Sequence, residues 1–165
     1  MALRATNEAA VETISEVMQA AEARYWEGLE ALVQGNSAAG VYTLGYVAEI
    51  LLKTACFLFD GALVTDLVLP RLAPARALGT AVFPHVPCES YHGLSFWRVA
   101  LVTKRNGRLP LPASIERDLD ANVRVLADAW WVEMRYRAPR ARAADGLDVF
   151  NSVSWIRAHH TDLWR

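Results

Sequence analysis

Apolar residues recur at three- and four-residue intervals through most of the chain, and no segment shows the strict alternation of a half-buried strand. Residues 6–34, rich in Ala and Glu, predict a long first helix that stops at Gly35-Asn36. Ser37 is placed to cap a second, which runs to about Phe59 before Asp60-Gly61 ends it. Residues 93–105 predict a third, closed by the turn-prone Asn106-Gly107. A fourth starts near Pro112 and continues to about Tyr136, with Ile115, Leu119, Val123, Leu126, Trp130 and Met134 on one stripe. A fifth covers roughly 144–163.

Between the second and third patterns lie Pro70, Pro74, Pro84 and Pro87, and the run Ala62–Leu69 is the one apolar stretch that suits an extended chain. A structureless loop over all of 60–92 is unusual in a compact domain, so the segment is expected to hold a short helix near Leu72–Leu78 or an arm that packs on a partner. The patterns together predict an all-α fold: an up-and-down bundle of four to five helices in one domain, 1–165, with a long Pro-rich connection after helix 2.

The second helix is the most informative. Val41, Leu44, Ala48, Leu51, Leu52, Ala55 and Phe59 make a wide apolar face, while Val47, Ile50, Phe57 and Leu58 cover much of the opposite side. Such a helix belongs in the middle of a bundle or between subunits. Its polar strip gathers Tyr42, Tyr46, Glu49 and Lys53, with Glu49 and Lys53 an i,i+4 pair in the favourable order. Two readings fit: a neutralised pair that lets a central helix carry charge, or a polar pocket beside the tyrosines that meets a ligand or its twin across a dimer axis.

Composition sharpens this picture. An apolar content of 53% in 165 residues, with 21% charged, is enough for one core and favours a subunit interface. A net charge of −1 argues against general polyanion binding. The charge is unevenly placed, however: residues 1–36 carry Glu8, Glu12, Glu16, Glu22, Glu27 and Glu30 against Arg4 and Arg24, whereas 93–142 hold a basic excess. One basic side is compatible with a local nucleotide or RNA contact. Cys56 and Cys88 suggest no disulfide framework, and the stretch MALRATNEAAVETISEV lacks the apolar core of a signal peptide. Gly35–Ala48 is too short an uncharged run to span a bilayer, so a reduced, cytoplasmic protein with no membrane contact is expected.

Candidate chemistry is sparse. His85, Cys88 and His92 form H-x2-C-x3-H, but no second cluster completes a zinc set, so neither metal nor cofactor is expected. His159-His160 point about 100° apart on a helix, and as cations in a last turn they would complement the macrodipole. The tryptophans fall on helical faces where packing explains them better than base stacking. Neither a Gly-rich phosphate loop nor a nucleophile elbow is present. Of Arg135, Arg137, Arg140 and Arg142 near the end of the fourth helix, Arg135 beside Tyr136 is the least free, and could grip a phosphate or pair with Glu49.

The stretch VYTLGYVAEILLKTACF resembles the signature helix of the HEPN family, with Gly45-Tyr46-Val47-Ala48-Glu49 and Leu52-Lys53-Thr54-Ala55 filling its pattern. His92-Gly93-Leu94, followed by Phe96-Trp97, is similar to the "H-x-L" opening of the next family helix, and Trp130–Arg137 to a stretch that often carries an Arg-Tyr pair. The resemblance implies a helical bundle, usually a homodimer, that is either a ribonuclease or a non-catalytic protein encoded beside a small nucleotidyltransferase. Ribonuclease members place a His four to six intervening residues after an Arg; from Arg135 those positions hold Arg140, Ala141 and Arg142, and from Arg137 they hold Arg142, Ala143 and Ala144. The expectation is a non-catalytic, dimeric HEPN-like protein that binds nucleotide, RNA or a protein partner, with Arg135, Tyr136, Glu49, Lys53, His92 and Tyr46 as ligand-binding candidates. Its alternatives are a ribonuclease using a displaced His, His92 or His159, and a structural assembly subunit with no ligand.

Overall fold

Six helices run through the computed structural model, which describes residues 12–82, 92–130 and 143–165. They are α1 (Ile14–Val33), α2 (Ser37–Phe59), α3 (Leu69–Val82), α4 (Leu94–Asn106), α5 (Ala113–Ala129) and α6 (Ala143–Trp164). Among the described residues no strand forms; Thr13 and Leu67 make one isolated antiparallel bridge. The all-α class holds, but the count of four to five helices does not.

α1 starts at Ile14 rather than in the region of residue 6. Thr13 Oγ1 accepts from the Glu16 amide at 3.2 Å and the Thr13 amide donates back to the Glu16 carboxylate at 2.7 Å, a reciprocal cap that fixes the first turn. The chain just before it is held extended, because Val68 N donates to Glu12 O (3.0 Å), and Ile14 N and Ser15 N donate to Asp66 O and Val64 O (2.9 and 2.8 Å). Those bonds draw the start of α1 onto the α2–α3 connection. Gly35, with φ +79°, makes the left-handed turn out of α1. The expected cap Ser37 is the first helical residue instead: Asn36 Oδ1, one position earlier, accepts from Ala39 N at 3.2 Å.

α2 is the hub, packed by α1, α6 and α4. Fourteen of its 23 residues are buried, and they lie on all sides, which is why its sequence is apolar nearly all round. It is the described helix long and apolar enough to cross a membrane by composition, and that apolar surface is here covered by protein. Gly45 is where the packing is tightest: a Cβ there would lie 2.1 Å from Trp130 Cγ.

The Pro-rich connection contains α3, longer than the short helix expected. Pro70 stands in its first turn, where a missing N–H costs nothing, and Pro74 removes a single intrahelical bond. Burial of Ala75 and packing on α4 offset that loss. Ala62–Leu69 does not run as an extended segment: Asp66 N donates to Leu63 O at 2.9 Å in a turn, Leu67 alone bridges to Thr13, and Leu69 already belongs to α3.

α5 ends earlier than its stripe implies. Leu119, Val123 and Leu126 are buried on one face, but Trp130 is extended (φ −126°, ψ 136°), and its indole Nε1 donates to the Tyr42 carbonyl at 3.0 Å. The Trp130 ring therefore reaches α2 by leaving the helix, not by continuing it. α6 packs along α2 and α5.

Candidate functional site

One residue of the α2 polar strip is fully internal. Glu49 is 1% exposed, in a helix whose other buried positions are mostly apolar, so its carboxylate must be satisfied by neighbours. Two cationic or ionisable groups do so. Lys53 Nζ donates to Oε1 from one turn along the helix, and His92 Nδ1 lies 2.9 Å from both carboxylate oxygens. A carboxylate only accepts, so Nδ1 carries the hydrogen, and in the neutral form of the ring the lone pair is at Nε2. His92 is placed by its position immediately before Gly93, the N-cap of α4, so that the start of that helix delivers the imidazole to the middle of α2.

Around this cluster the aromatic residues close in. The Tyr46 ring centroid is 6.2 Å from that of His92 and 6.5 Å from that of Tyr42. Lys53 Nζ sits 5.6 Å from the Trp97 ring centroid, which adds a cation–π contact to its ion pair. The exposed Arg24 of α1 extends over the outer ring, 5.9 Å from the Tyr46 centroid. The cluster thus grades from a buried carboxylate, through a half-exposed imidazole and phenol, to an exposed guanidinium. Chemically it can orient an imidazole for proton transfer, or offer a ring and a cation to a base and a phosphate.

Glu49, Lys53, His92 and Tyr46 are therefore brought together, and the alternative pairing of Glu49 with Arg135 is not needed to satisfy the carboxylate. Arg135 and Tyr136 lie outside the described residues, as do Arg137, Arg140 and Arg142 and the His85 and Cys88 of the metal-like spacing. Among the described residues no group of three or more His, Cys, Asp or Glu could hold a metal ion. Arg24 carries no local sequence signal for this role; only the packing of α1 on α2 brings it over Tyr46.

The C-terminal histidines take places other than the ones expected. His160 is buried, with Nε2 3.1 Å from both Thr54 Oγ1 and the Leu51 carbonyl, and burial pushes its pKa down. It is not a cation at a helix end. That position belongs to Arg105 of α4, whose guanidinium donates to the Leu163 carbonyl of α6 at 3.1 Å. His159 stacks on Trp155 (centroids 4.2 Å apart) and its Nδ1 lies 2.9 Å from the Trp155 carbonyl.

A cleft of about 890 Å³ opens elsewhere, between α3 and the ends of α2 and α4, and shares no lining residue with the Glu49 cluster. Lys104 and Asp60 pair within it, and the Cys56 thiol behind them is pushed up to about 11 by burial. The chain matches no protein-family model, no curated protein and no solved structure.

Proposed function

We propose that this chain is a non-catalytic, HEPN-like helical protein that works as a homodimer and binds a nucleotide, an RNA or a protein partner such as a small nucleotidyltransferase. Its setting would be cytoplasmic, in a prokaryotic defence or toxin–antitoxin-like system. The observation that carries the reading is the meeting of two of the motif segments. Glu49 of GYVAE and His92 of HGL are 43 positions apart and yet share hydrogen bonds of 2.9 Å. A motif order that was only a resemblance along the chain is matched by a contact in space.

In this reading Glu49 is the internal anchor, Lys53 and His92 hold it, and Tyr46 with Arg24 presents a stacking ring and a cation to the ligand. Arg135 and Tyr136 remain further ligand candidates. Titration with ATP and with a short RNA at about 50 and 200 mM salt tests it, because phosphate contacts weaken as counterions compete. Binding that falls with salt and drops in Arg24→Ala supports the reading; no binding at either salt overturns it. The dimer finds support in Leu63, Val64, Leu67 and Leu69, four apolar residues between 40% and 66% exposed within seven positions. Light scattering that reports a monomer would remove that part.

A ribonuclease reading is favoured by one feature, the carboxylate that fixes the His92 tautomer. An imidazole held at Nδ1 can take a 2′-hydroxyl proton at Nε2. Structured RNA left intact by the wild-type protein under all conditions would eliminate it, and cleavage abolished by His92→Ala would establish it over the first.

A further inference from the structure

His160 and the space beside it take no part in the Glu49 cluster. A cavity of about 170 Å³ lies between α1, α2 and α6, with Met18, Ala21, Val47 and Leu51 as its apolar wall and His160 and Thr161 of α6 in its lining. Glu22 and Arg157 stand at its mouth, their side chains 48% and 38% exposed and joined by two hydrogen bonds of 2.7 and 2.6 Å. The two charges cancel where a ligand would enter.

The tautomer of His160 follows from its partners. The Leu51 carbonyl can only accept, so Nε2 carries the hydrogen. Thr54 Oγ1 agrees with this, because its own hydrogen goes to the Ile50 carbonyl at 2.9 Å and its lone pair is free for Nε2–H. Nδ1 is then an acceptor, and no described residue donates to it. A ring 7% exposed, anchored at one nitrogen and unused at the other, resembles the way proteins fix an imidazole that must accept from something else. Burial also pushes its pKa down, which keeps the Nδ1 lone pair available at neutral pH.

We infer that this cavity is a binding site for a small uncharged molecule with one O–H or N–H donor and about seven non-hydrogen atoms, held by apolar contact and by donation to His160 Nδ1. The size follows from volume, since a cavity of about 150 Å³ accepts benzene. The lack of charge follows from the neutral imidazole and the paired mouth. His160 and Thr161 are the two neutral polar residues beside an apolar wall, and with the mouth charges paired such a lining favours a small neutral donor over an ion.

Phenol and benzene, which differ by the one hydroxyl, are the probes. The full chain with ¹⁵N-labelled histidine is titrated with each and followed by ¹H–¹⁵N spectra of the imidazoles. Phenol is expected to shift the His160 Nδ1 resonance saturably and to bind about 3- to 10-fold more tightly than benzene, the ratio a net hydrogen bond gives. Ala21→Leu, which fills the cavity, is expected to abolish both. An unmoved Nδ1 resonance, equal affinity for the two probes, or phenol binding that survives Ala21→Leu would each overturn the inference. The wild-type titration needs no variant to fold, and its result is independent of ATP or RNA binding at the Glu49 cluster.

Discussion

Two histidines reach α2 from different elements: His92, ahead of α4, meets the Glu49 carboxylate, while His160, on α6, meets the Thr54 hydroxyl and the Leu51 carbonyl. Thr54 lies five positions after Glu49, so the two contacts leave the helix about 140° apart. The first is a charged cluster, in which Lys53 also takes part, and its imidazole is 32% exposed. The second is neutral and buried, and desolvation disfavours the imidazolium. One residue type thus performs two jobs according to what α2 offers it. A carboxylate inside a bundle holds a histidine that still reaches solvent, whereas a carbonyl and a hydroxyl hold one that is buried.

The largest effect should come from breaking the charged side. Glu49→Ala leaves Lys53 and His92 facing each other with no anion between them, and removal of one partner from a buried pair costs about 3 kcal/mol. Urea denaturation measures it as a lowered midpoint. A loss below about 1 kcal/mol would mean that water reaches the cluster and that the two sides of α2 are alike. On the neutral side, Thr54→Val keeps the shape and removes the hydroxyl's bonds to His160 and to the Ile50 carbonyl, while the Leu51 carbonyl still serves His160. The expected cost is about 1 kcal/mol in the same measurement.

How much of this contrast could be read along the chain depends on distance in sequence. The strip of Tyr46, Glu49 and Lys53 is a property of one helix, so the 3.6-residue period places it without any tertiary knowledge. α2 itself is bounded by residues whose chemistry is local, Asn36 and Gly61, and its limits were legible to within one residue. α3 was harder, because Pro70 and Pro74 oppose a helix locally and only Ala75 against its neighbours compensates. The end of α5 was misplaced since Trp130 continues the apolar stripe in sequence while its indole is taken by the Tyr42 carbonyl. That bond spans 88 positions, and no local pattern encodes it. The same holds for Thr54 with His160, 106 positions apart, and for Arg105, which fills the end of α6 that His159-His160 were expected to serve.

A pH series separates the two histidines further and should produce a smaller change. His160 has its pKa lowered by burial, so the unfolded chain binds a proton more readily than the folded one. Its contribution to stability is whole above the ordinary histidine value near 6.5 and is lost as pH falls from there through the lowered folded value. Thermal midpoints of the wild type should decline on acidification over that range, by a fraction of a kcal/mol per pH step, and His160→Phe should flatten the decline. Acid loss that persists unchanged in His160→Phe would assign it to carboxylates such as Glu22, which Arg157 holds below the usual range and which titrate lower.

The smallest effect tests whether burial, rather than the ion pair itself, sets the strength of the Glu49 cluster. Glu22 and Arg157 form a carboxylate–cation pair with better hydrogen-bond geometry than many buried ones, two bonds at 2.7 and 2.6 Å, but both side chains face solvent. Arg157 also keeps other contacts if Glu22 is lost, since its guanidinium lies 4.7 Å from the Tyr25 ring centroid and 5.8 Å from that of Trp26. Glu22→Ala should therefore cost only about 0.5 kcal/mol, and salt near 0.5 M should screen most of that away. Glu49→Ala, by contrast, should keep most of its cost in the same salt, because the Glu49 and Lys53 side chains are only 2% and 13% exposed and a buried pair is screened little. If salt erased both losses equally, the Glu49 cluster would be a solvated surface pair, and the distinction between the two sides of α2 would rest on His160 alone.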